Sequence, residues 1–446
     1  MKVVLQQWLA QHRLLLANAG SLVGTTITTS GLGFVYWWVA ARFFPPGVVG
    51  LASAAISAMT LLGTGGIFGL GTLLVGELPR QPGKEASLIS AALLLVTAIG
   101  GVAGIVLAIV APFISSELAP LGANVEAIGL FAAGASLTAL TIVLDQAMIG
   151  LWRGGVQLFR NAFFSVVKLA LIFGAGLWLS GTTWLAVYAT WTAGNALSLL
   201  PLAGYALWKG GWSGNAYRPQ WKLLWKLGPA ALQHHALNLI LRVPGLVLPL
   251  LVTTLLSATM NAWFYIPFMI ANFMFSVPLA LTTVLFATKG PERIALAQKT
   301  RLTLALSFAI TLFAVIVIIF GAQQLLGLFG SSYARHATWS LRLLGLAAFP
   351  LILKNHYIVL CRIQNQMAGA IFRMLAGLSL ELGGAALGAY LGGLTGLSLG
   401  WVIALCIEAT LMSHRVYKAV HPPETPPLSI RALWLQSGDT EKGLSQ

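Results

Sequence analysis

The sequence predicts an all-α polytopic membrane protein, with about twelve transmembrane helices in two pseudo-symmetric six-helix bundles around a central cavity. Of its 446 residues, 58% are hydrophobic and 8% are charged, and the mean hydropathy is +0.85. Soluble domains carry about 25% charged residues. Apolar runs long enough to cross about 30 Å of hydrocarbon recur along the whole chain. The composition therefore excludes a soluble globular protein.

The apolar runs define the predicted spans. Arg13 and the length of the first run argue against a cleaved signal peptide. Cys361 and Cys406 fall near the inner ends of spans, so neither a structural disulfide nor a thiolate metal site is expected. The spans lie near residues 14–41, 48–77, 87–111, 125–150, 161–180, 183–208, 229–253, 261–287, 301–321, 337–359, 371–391 and 394–415.

The net charge of +15 is distributed asymmetrically. If the N-terminus is cytoplasmic, 21 of the 26 basic residues fall in inner segments, whereas the outer loops hold Arg42, Arg335 and Arg342. Cytoplasmic loops of membrane proteins carry an excess of Lys and Arg. We therefore expect both termini in the cytoplasm, and the basic charge needs no nucleic acid to explain it.

The chain divides into four predicted segments. Residues 1–208 form an N-terminal six-helix bundle, and residues 229–418 form a C-terminal one. Between them, residues 209–228 form a basic cytoplasmic connection. The tail, 419–446, is Pro-rich and then polar, which is typical of disordered sequence.

A weak internal repeat supports two related halves. "DQAMIGLWR" (145–153) aligns with "KNHYIVLCR" (354–362) at an offset of 209 residues. An even number of spans separates the two blocks, so the repeats are parallel. Transporters often use such pseudo-symmetry and place the substrate site where the halves meet.

Enzyme signatures are missing from the sequence. No G-x-x-x-x-G-K-[ST] loop and no H-E-x-x-H motif occurs, so we expect neither an enzyme nor a catalytic residue. The glycines of "GTGGIFGLG" (63–71) lie within a span, where close helix packing is the favoured interpretation over a phosphate cradle. No metal site and no cofactor are expected, beyond a coupling ion such as H+ or Na+.

The segment "SGLGFVYWWVAARFFPPGVVGLASAAISAMTLLGTGGIFGLGTLLVGELPR" (30–80) resembles the oligosaccharide flippases. These form the polysaccharide-transporter branch of the multidrug/oligosaccharidyl-lipid/polysaccharide exporter superfamily. "IGLWRGGVQLFRNAFFSVVKL" (149–169) is similar to that family's basic link between spans four and five. The sequence departs from the family at 47–49, Gly-Val-Val, where an acidic residue is common, and in lacking a thirteenth and fourteenth span.

The resemblance implies a secondary-type transporter with alternating access in a prokaryotic cytoplasmic (inner) membrane. Its substrate would be a polyprenyl-diphosphate-linked oligosaccharide moved from the inner to the outer leaflet. Membrane lipid and polysaccharide polymerase or assembly proteins would be its partners. Two alternatives stay open: an ion-coupled drug or small-molecule exporter of the same superfamily, and a membrane glycan polymerase or ligase.

Several residues within the predicted spans are candidates for substrate binding. Arg242 precedes a helix-breaking Pro244-Gly245 pair and Pro249, and Arg suits bidentate contact with a diphosphate. Pairing with a carboxylate is the structural alternative for Arg242. Sugar hydroxyls could bond to polar side chains, which could equally link neighbouring helices; the candidates are Asn18, Asn238 and Asn272.

Matching interruptions in two halves mark a transport site. At an offset of 212 residues, the Pro244-Gly245 break corresponds to "SGLGF" (30–34). We therefore take Gly31, Gly33, Pro244, Gly245 and Pro249 as hinge candidates. An interfacial aromatic belt is expected near the outer ends of the first and eighth spans, with sugar stacking as the alternative role; its members would be Tyr36, Trp37, Trp38, Trp263 and Tyr265.

Three charged residues are candidates for gating or coupling. Asp145 aligns with Lys354 in the repeat, so the two could form an inner gate when the cavity closes to the cytoplasm. Lys354 is also a candidate for binding the diphosphate, which could compete with Asp145 for it. Local pairing of Asp145 with Lys168 or Arg153 is the alternative. Glu381 could be a counter-charge to a basic residue or a proton carrier.

Overall fold

The fold is known from a computed structural model, which describes residues 2–178, 183–208, 218–219, 221–287, 293–364 and 366–421. Within these ranges the chain is helical apart from short turns and two 3-10 helices, and no strand occurs. The helices are α1 (Lys2–Phe43), α2 (Pro46–Gly66), α3 (Leu70–Glu77), α4 (Glu85–Ile114), α5 (Val125–Gly150), α6 (Gly154–Trp178), α7 (Trp184–Leu197), α8 (Leu200–Trp208), α9 (Trp221–Leu255), α10 (Ala258–Ala287), α11 (Arg293–Gly327), α12 (Ser331–His336), α13 (Thr338–Leu346), α14 (Ala348–Ile363) and α15 (Met367–Val420).

These helices account for twelve membrane crossings. Among the described residues, nine helical segments are long and apolar enough to span a bilayer. One of them, in α15, is long enough to cross twice. The 42-residue α1 and the pair α7–α8 supply the remaining two crossings. The protein is therefore an all-α multi-pass membrane protein, as predicted.

Helix α15 is a hairpin of two arms, 367–391 and 394–420. The chain reverses at Gly392 and Gly393, and Gly393 has a φ of +59°, which glycine adopts at no steric cost. The arms pack backbone to backbone: a Cβ at Gly388 would lie 2.1 Å from the Gly396 carbonyl oxygen. Small residues thus bring the last two spans into close contact.

The second span is broken rather than continuous. Phe68 and Gly69, with φ of 45° and 77°, separate α2 from α3. The neighbouring glycines allow close packing against α5, because a Cβ at Gly63 would lie 2.8 Å from the Thr138 Cγ2 and one at Gly71 would lie 2.9 Å from the Gln146 Cγ. The interpretation of the 63–71 glycines as packing positions is confirmed at these two residues.

Helices α1–α8 form one bundle and α9–α15 the other. In the first, the largest contacts join α4 to α5 and α1 to α6; in the second, they join α14 and α9 to α15. The bundles meet where α2 packs on α9 and α10. We call the side with the Lys2 end of α1 and the Val420 end of α15 the terminal face, and the opposite side the distal face.

The predicted boundaries between segments are only partly visible. The connection 209–228 lies largely outside the described residues, although α9 already begins at Trp221. The second bundle continues to Val420, close to the predicted end at 418. The tail beyond His421 lies outside the described residues.

Candidate functional site: a cavity between the two bundles

The two bundles are in direct contact near the distal face. Asn261 on α10 donates its side-chain amide to the Gly50 carbonyl (2.7 Å) and the Ser53 hydroxyl (3.0 Å) on α2. Glu117 accepts a hydrogen bond from the Ala258 backbone N–H at 2.8 Å. The buried amide nitrogen of Asn261 is thus satisfied by α2, whereas its buried Oδ1 accepts no hydrogen bond from the described residues.

The end of α1 adds to this distal closure. Trp38 Nε1 and Arg42 Nε both donate to the Leu328 carbonyl, each at 2.8 Å. The rings of Trp37 and Tyr265 meet edge to face across the bundles, with centroids 4.7 Å apart. Tyr36 and Trp37 are buried, at 0% and 2% exposure. The prediction that these two residues lie in an interfacial aromatic belt is wrong, because they pack inside and between the bundles.

A cavity of about 820 Å³ lies between the bundles. The first bundle contributes α2, α3 and α5, and the second contributes α9, α10, α14 and α15. Thr283 near the end of α10 and Arg362 at the end of α14 line the cavity, so it extends toward the terminal face. Cavities between helices of bundles are common ligand sites.

Most of the charged residues that line the cavity are basic. Among the described residues that line it, Arg242, Lys354 and Arg362 are basic, and Glu381 is acidic. Arg242 is exposed to the cavity and has no carboxylate within 4 Å among the described residues, so the alternative of structural ion pairing is not seen in this conformation. Arg362 donates to the Asn238 side-chain oxygen at 3.2 Å.

Glu381 belongs to a buried triad of charged residues with Lys354 and Glu408. Lys354 donates to the Glu381 carboxylate at 2.5 Å and to the Glu408 carboxylate at 2.9 Å. The second oxygen of Glu381 accepts from Trp401 Nε1 at 2.8 Å. The counter-charge of Glu381 is therefore Lys354, and the triad ties α14 to both arms of α15.

The triad leaves one group without a partner. The Oε1 of Glu408 is buried and accepts no hydrogen bond, and it lies against Gly377, where a Cβ would approach within 2.0 Å. Two carboxylates and one ammonium give the triad a formal charge of −1. Because a net charge is costly in a membrane interior, the triad is suited to hold one further cation.

Asp145 does not line the cavity. Its two oxygens receive a bidentate pair from Arg160, at 2.7 Å and 2.6 Å, and Asn161 adds a third hydrogen bond at 2.9 Å. Arg160 is 4% exposed. The partner is thus local, as one alternative expected, but it is Arg160 and not Lys168 or Arg153. Asp145 and Lys354 belong to separate networks here, and their pairing in a conformation closed at the terminal face stays a prediction.

The hinge candidates lie in unbroken helix in this conformation. Gly31 and Gly33 fall within α1, and Pro244, Gly245 and Pro249 fall within α9. The expected interruption of these two helices is therefore absent here. A Cβ at Gly31, Gly33 or Gly245 would meet nothing within 4 Å, so close packing does not explain these glycines. Their role as hinges stays a prediction.

The remaining polar candidates differ in position. Asn238 and Asn272 both line the cavity, and Asn272 donates to the Phe268 carbonyl of its own helix at 2.8 Å. The side chain of Asn18 lies outside the described residues. The second bundle therefore forms one side of the cavity with five of the predicted residues, namely Arg242, Lys354, Asn238, Asn272 and Glu381.

Sequence reasoning missed the role of Arg362 in the cavity, Arg160 as the partner of Asp145, and Asn261 in the distal closure. Arg362 is the repeat counterpart of Arg153, which lies exposed in the α5–α6 turn. No signal of this place was present in the sequence, because the predicted span ended at 359 and α14 continues to Ile363. Asn261 offered none, because a single Asn in a span is usually helix glue.

Solved transporters share this fold. An inward-facing multidrug resistance MATE family transporter of the MOP superfamily matches with a TM-score of 0.66 and 17% identity, over 89% of this chain and 96% of that chain. An outward-facing one matches at 0.59 and 15%, over 91% and 96%. A MOP superfamily transporter from Pyrococcus furiosus matches at 0.57 and 16%, over 91% and 96%.

No protein-family profile and no curated protein matches the sequence. At these identities the structural likeness establishes the fold alone, and the finer expectation of the polysaccharide-transporter branch stays a prediction. The chain has the two-lobed, twelve-helix fold of the MATE transporters of the MOP superfamily.

Proposed function

We propose that the protein is a secondary-type, alternating-access flippase for a lipid-linked oligosaccharide. Its substrate would carry a polyprenyl diphosphate, and it would move from the cytoplasmic to the outer leaflet of a prokaryotic inner membrane. The terminal face would then be cytoplasmic, in accord with the positive-inside distribution of basic residues. Surface-polysaccharide polymerase or assembly proteins would be its partners.

One observation carries the proposal: the cavity presents unpaired guanidinium groups. Arg242 and Arg362 line it with no carboxylate within 4 Å in the described part of the chain, while the acidic lining residue Glu381 is held by Lys354. Arginine is the side chain best suited to bidentate phosphate contacts. Asn238 and Asn272 add amide groups that can bond sugar hydroxyls. Such a site favours an anionic, hydroxyl-rich substrate.

The conformation fits capture from the cytoplasmic side. The distal closure keeps the bundles together, and the cavity extends to the terminal face. Moving the substrate requires the opposite state, in which the distal contacts of α2 and α10 part. A gap between the bundles would leave the polyprenyl chain in lipid while the head group crosses.

An ion-coupled exporter of small molecules is the second candidate, because two of the matched structures are multidrug resistance transporters. Exporters of cationic drugs need an acidic cavity. The Pyrococcus furiosus transporter is described as having a binding pocket of reverse polarity that suggests a different function. The basic cavity of this chain supports the same line of reasoning and favours the flippase.

We propose the buried triad as the site of the coupling ion. A proton or Na+ bound at Glu408 would offset the formal charge of −1 of the triad, and a diphosphate in the cavity would draw Lys354 away from its carboxylates. Binding of ion and substrate would then be linked through one lysine. The Glu408→Gln variant should still bind substrate, but its transport of substrate should no longer depend on a proton or Na+ gradient.

The function is tested in a strain that lacks the gene. Lipid-linked glycan should accumulate on the inner leaflet and be cleared by the wild-type gene. Arg242→Ala should fail to clear it, Arg242→Lys should clear it partly, and Arg153→Ala, at an exposed turn outside the cavity, should behave as wild type. Normal surface polysaccharide in the deletion strain, or efflux of cationic dyes by the purified protein, would refute the proposal.

A further inference from the structure

A second cavity of about 1220 Å³ lies inside the second bundle, near the terminal face. The end of α14 and the two arms of α15 form its walls, with Leu296 of α11 at one side. None of its lining residues lines the cavity between the bundles. The proposed transport cycle uses one residue of this lining, Glu408, through its ion pair with Lys354, and none of the others.

The pocket is strongly basic. Its lining includes Arg373, Arg415 and Lys418, together with His414. The one acidic lining residue among the described residues, Glu408, is already bound to Lys354 at 2.9 Å. No carboxylate lies within 4 Å of the three permanent cations in the described part of the chain, so the pocket has an uncompensated positive charge.

The two arginines are positioned by neutral groups. Arg373 donates to the Tyr357 hydroxyl at 2.8 Å, and the Arg415 guanidinium lies 5.7 Å from the centre of the Tyr357 ring. Arg415 also donates to the side-chain oxygens of Gln364, at 2.7 Å, and Gln366. Each guanidinium has five N–H donors. Donors of both therefore remain available for an anion that binds beside Tyr357.

The apolar part of the lining lies against the membrane. Ile407 and Leu411 line the pocket on the second arm and are 45% and 78% exposed on the protein surface. Ile407 lies about two turns and Leu411 about one turn toward the bilayer interior from Arg415. A molecule in the pocket would thus contact cations at one end and lipid-facing side chains at the other.

We propose that this pocket binds an anionic phospholipid of the cytoplasmic leaflet. The phosphate would lie between Arg373 and Arg415, Lys418 would add charge at the membrane surface, and an acyl chain would lie along Ile407 and Leu411. Basic pockets between transmembrane helices on the cytoplasmic side are suited to anionic head groups. A free phosphate would use the same arginines but not the apolar wall, and the volume far exceeds that of a phosphate ion.

The test uses the full-length protein in detergent, with dioleoyl phosphatidylglycerol as the probe, dioleoyl phosphatidylcholine as the zwitterionic comparison, and inorganic phosphate as the ion without chains. Native mass spectrometry should show wild-type protein binding phosphatidylglycerol at least tenfold more tightly than phosphatidylcholine. Inorganic phosphate should not compete at millimolar concentration. Equal affinity for the two lipids, or full competition by phosphate, would overturn the proposal.

The site is assigned by the double variant Arg373→Gln, Arg415→Gln. It should lose at least tenfold in affinity for phosphatidylglycerol, whereas Lys84→Gln and Arg153→Gln, which change exposed basic residues of the first bundle, should not. Unchanged affinity of the folded double variant would overturn the proposal. If that variant does not fold, Leu411→Gln provides the second test, because it makes the apolar wall polar at an exposed position without adding a charge. Unchanged phosphatidylglycerol affinity of Leu411→Gln would also overturn it.

Discussion

Gly50 on α2 is the position where a single added methyl group should open the distal closure. A Cβ at Gly50 would lie 1.7 Å from the Ala258 carbonyl oxygen and 2.9 Å from the Ala262 backbone nitrogen. These are backbone atoms of α10, so no side-chain rotation can relieve the clash. In Gly50→Ala, α10 must therefore withdraw by roughly 1.5–2 Å to reach van der Waals distance.

In Gly50→Ala, the free energy of the distally closed state rises because of this clash and because one hydrogen bond is weakened. Overpacking of a tight contact costs about 1–3 kcal/mol. The separation also stretches the 2.7 Å hydrogen bond from Asn261 to the Gly50 carbonyl, which contributes about 1 kcal/mol. Distally closed states should thus lose about 2–4 kcal/mol, a roughly 30- to 700-fold smaller population relative to distally open ones.

The assay is cysteine labelling from the distal side. Cys361 and Cys406 are first replaced by serine, and Ser53→Cys then reports on the closed interface, because Ser53 is 0% exposed. Membrane-impermeant maleimide should label the reporter at least tenfold faster in Gly50→Ala. Gly129→Ala is the matched control, since a Cβ at Gly129 meets nothing within 4 Å. Equal labelling rates with and without Gly50→Ala would refute the reasoning.

Further predictions concern the buried charges and the final hairpin. Asp145→Ala leaves Arg160 buried without its partner and should cost about 3–5 kcal/mol of stability, whereas the exposed Glu126→Gln should leave the thermal midpoint unchanged. Lys354→Met should destabilise by a similar amount, and converting both carboxylates of its triad to Gln should restore most of the loss. Gly388→Ala should lower the thermal midpoint through overpacking worth about 1–3 kcal/mol, while Gly383→Ala, with nothing within 4 Å, should not. Each of these predictions would be contradicted if the variant had the thermal midpoint of the wild type, because the contact removed or disturbed would then not stabilise the protein. This applies to Asp145→Ala, Lys354→Met and Gly388→Ala.

The partners of the buried charged residues could not be predicted from the sequence. The aligned positions of Asp145 and Lys354 indicated a pair across the bundles, yet each binds within its own bundle here. A helical sequence specifies which residues share a face, but not which neighbouring helix that face meets. The packing of separate spans made Arg160 the partner of Asp145. It likewise brought Glu408 to Lys354 and Trp401 to Glu381.

The same reason explains the aromatic residues at the end of α1. Of the three aromatic residues predicted there, Trp38 is exposed, at 39%. Tyr36 and Trp37 nevertheless face the protein interior, because the rotation of α1 about its axis is set by α10 and the first-bundle helices against which it packs. Hydropathy carries no information about that rotation.

By itself, the sequence determined that the chain crosses a membrane about twelve times, because span length and hydropathy are local properties set by the thickness of the hydrocarbon layer. It also determined the asymmetry of basic residues from which the orientation is inferred. Only the tertiary structure decided which charges are paired and which remain free in the cavity. Those outcomes depend on contacts between residues far apart in the chain, and they leave Arg242 in the cavity while Asp145 is held by Arg160.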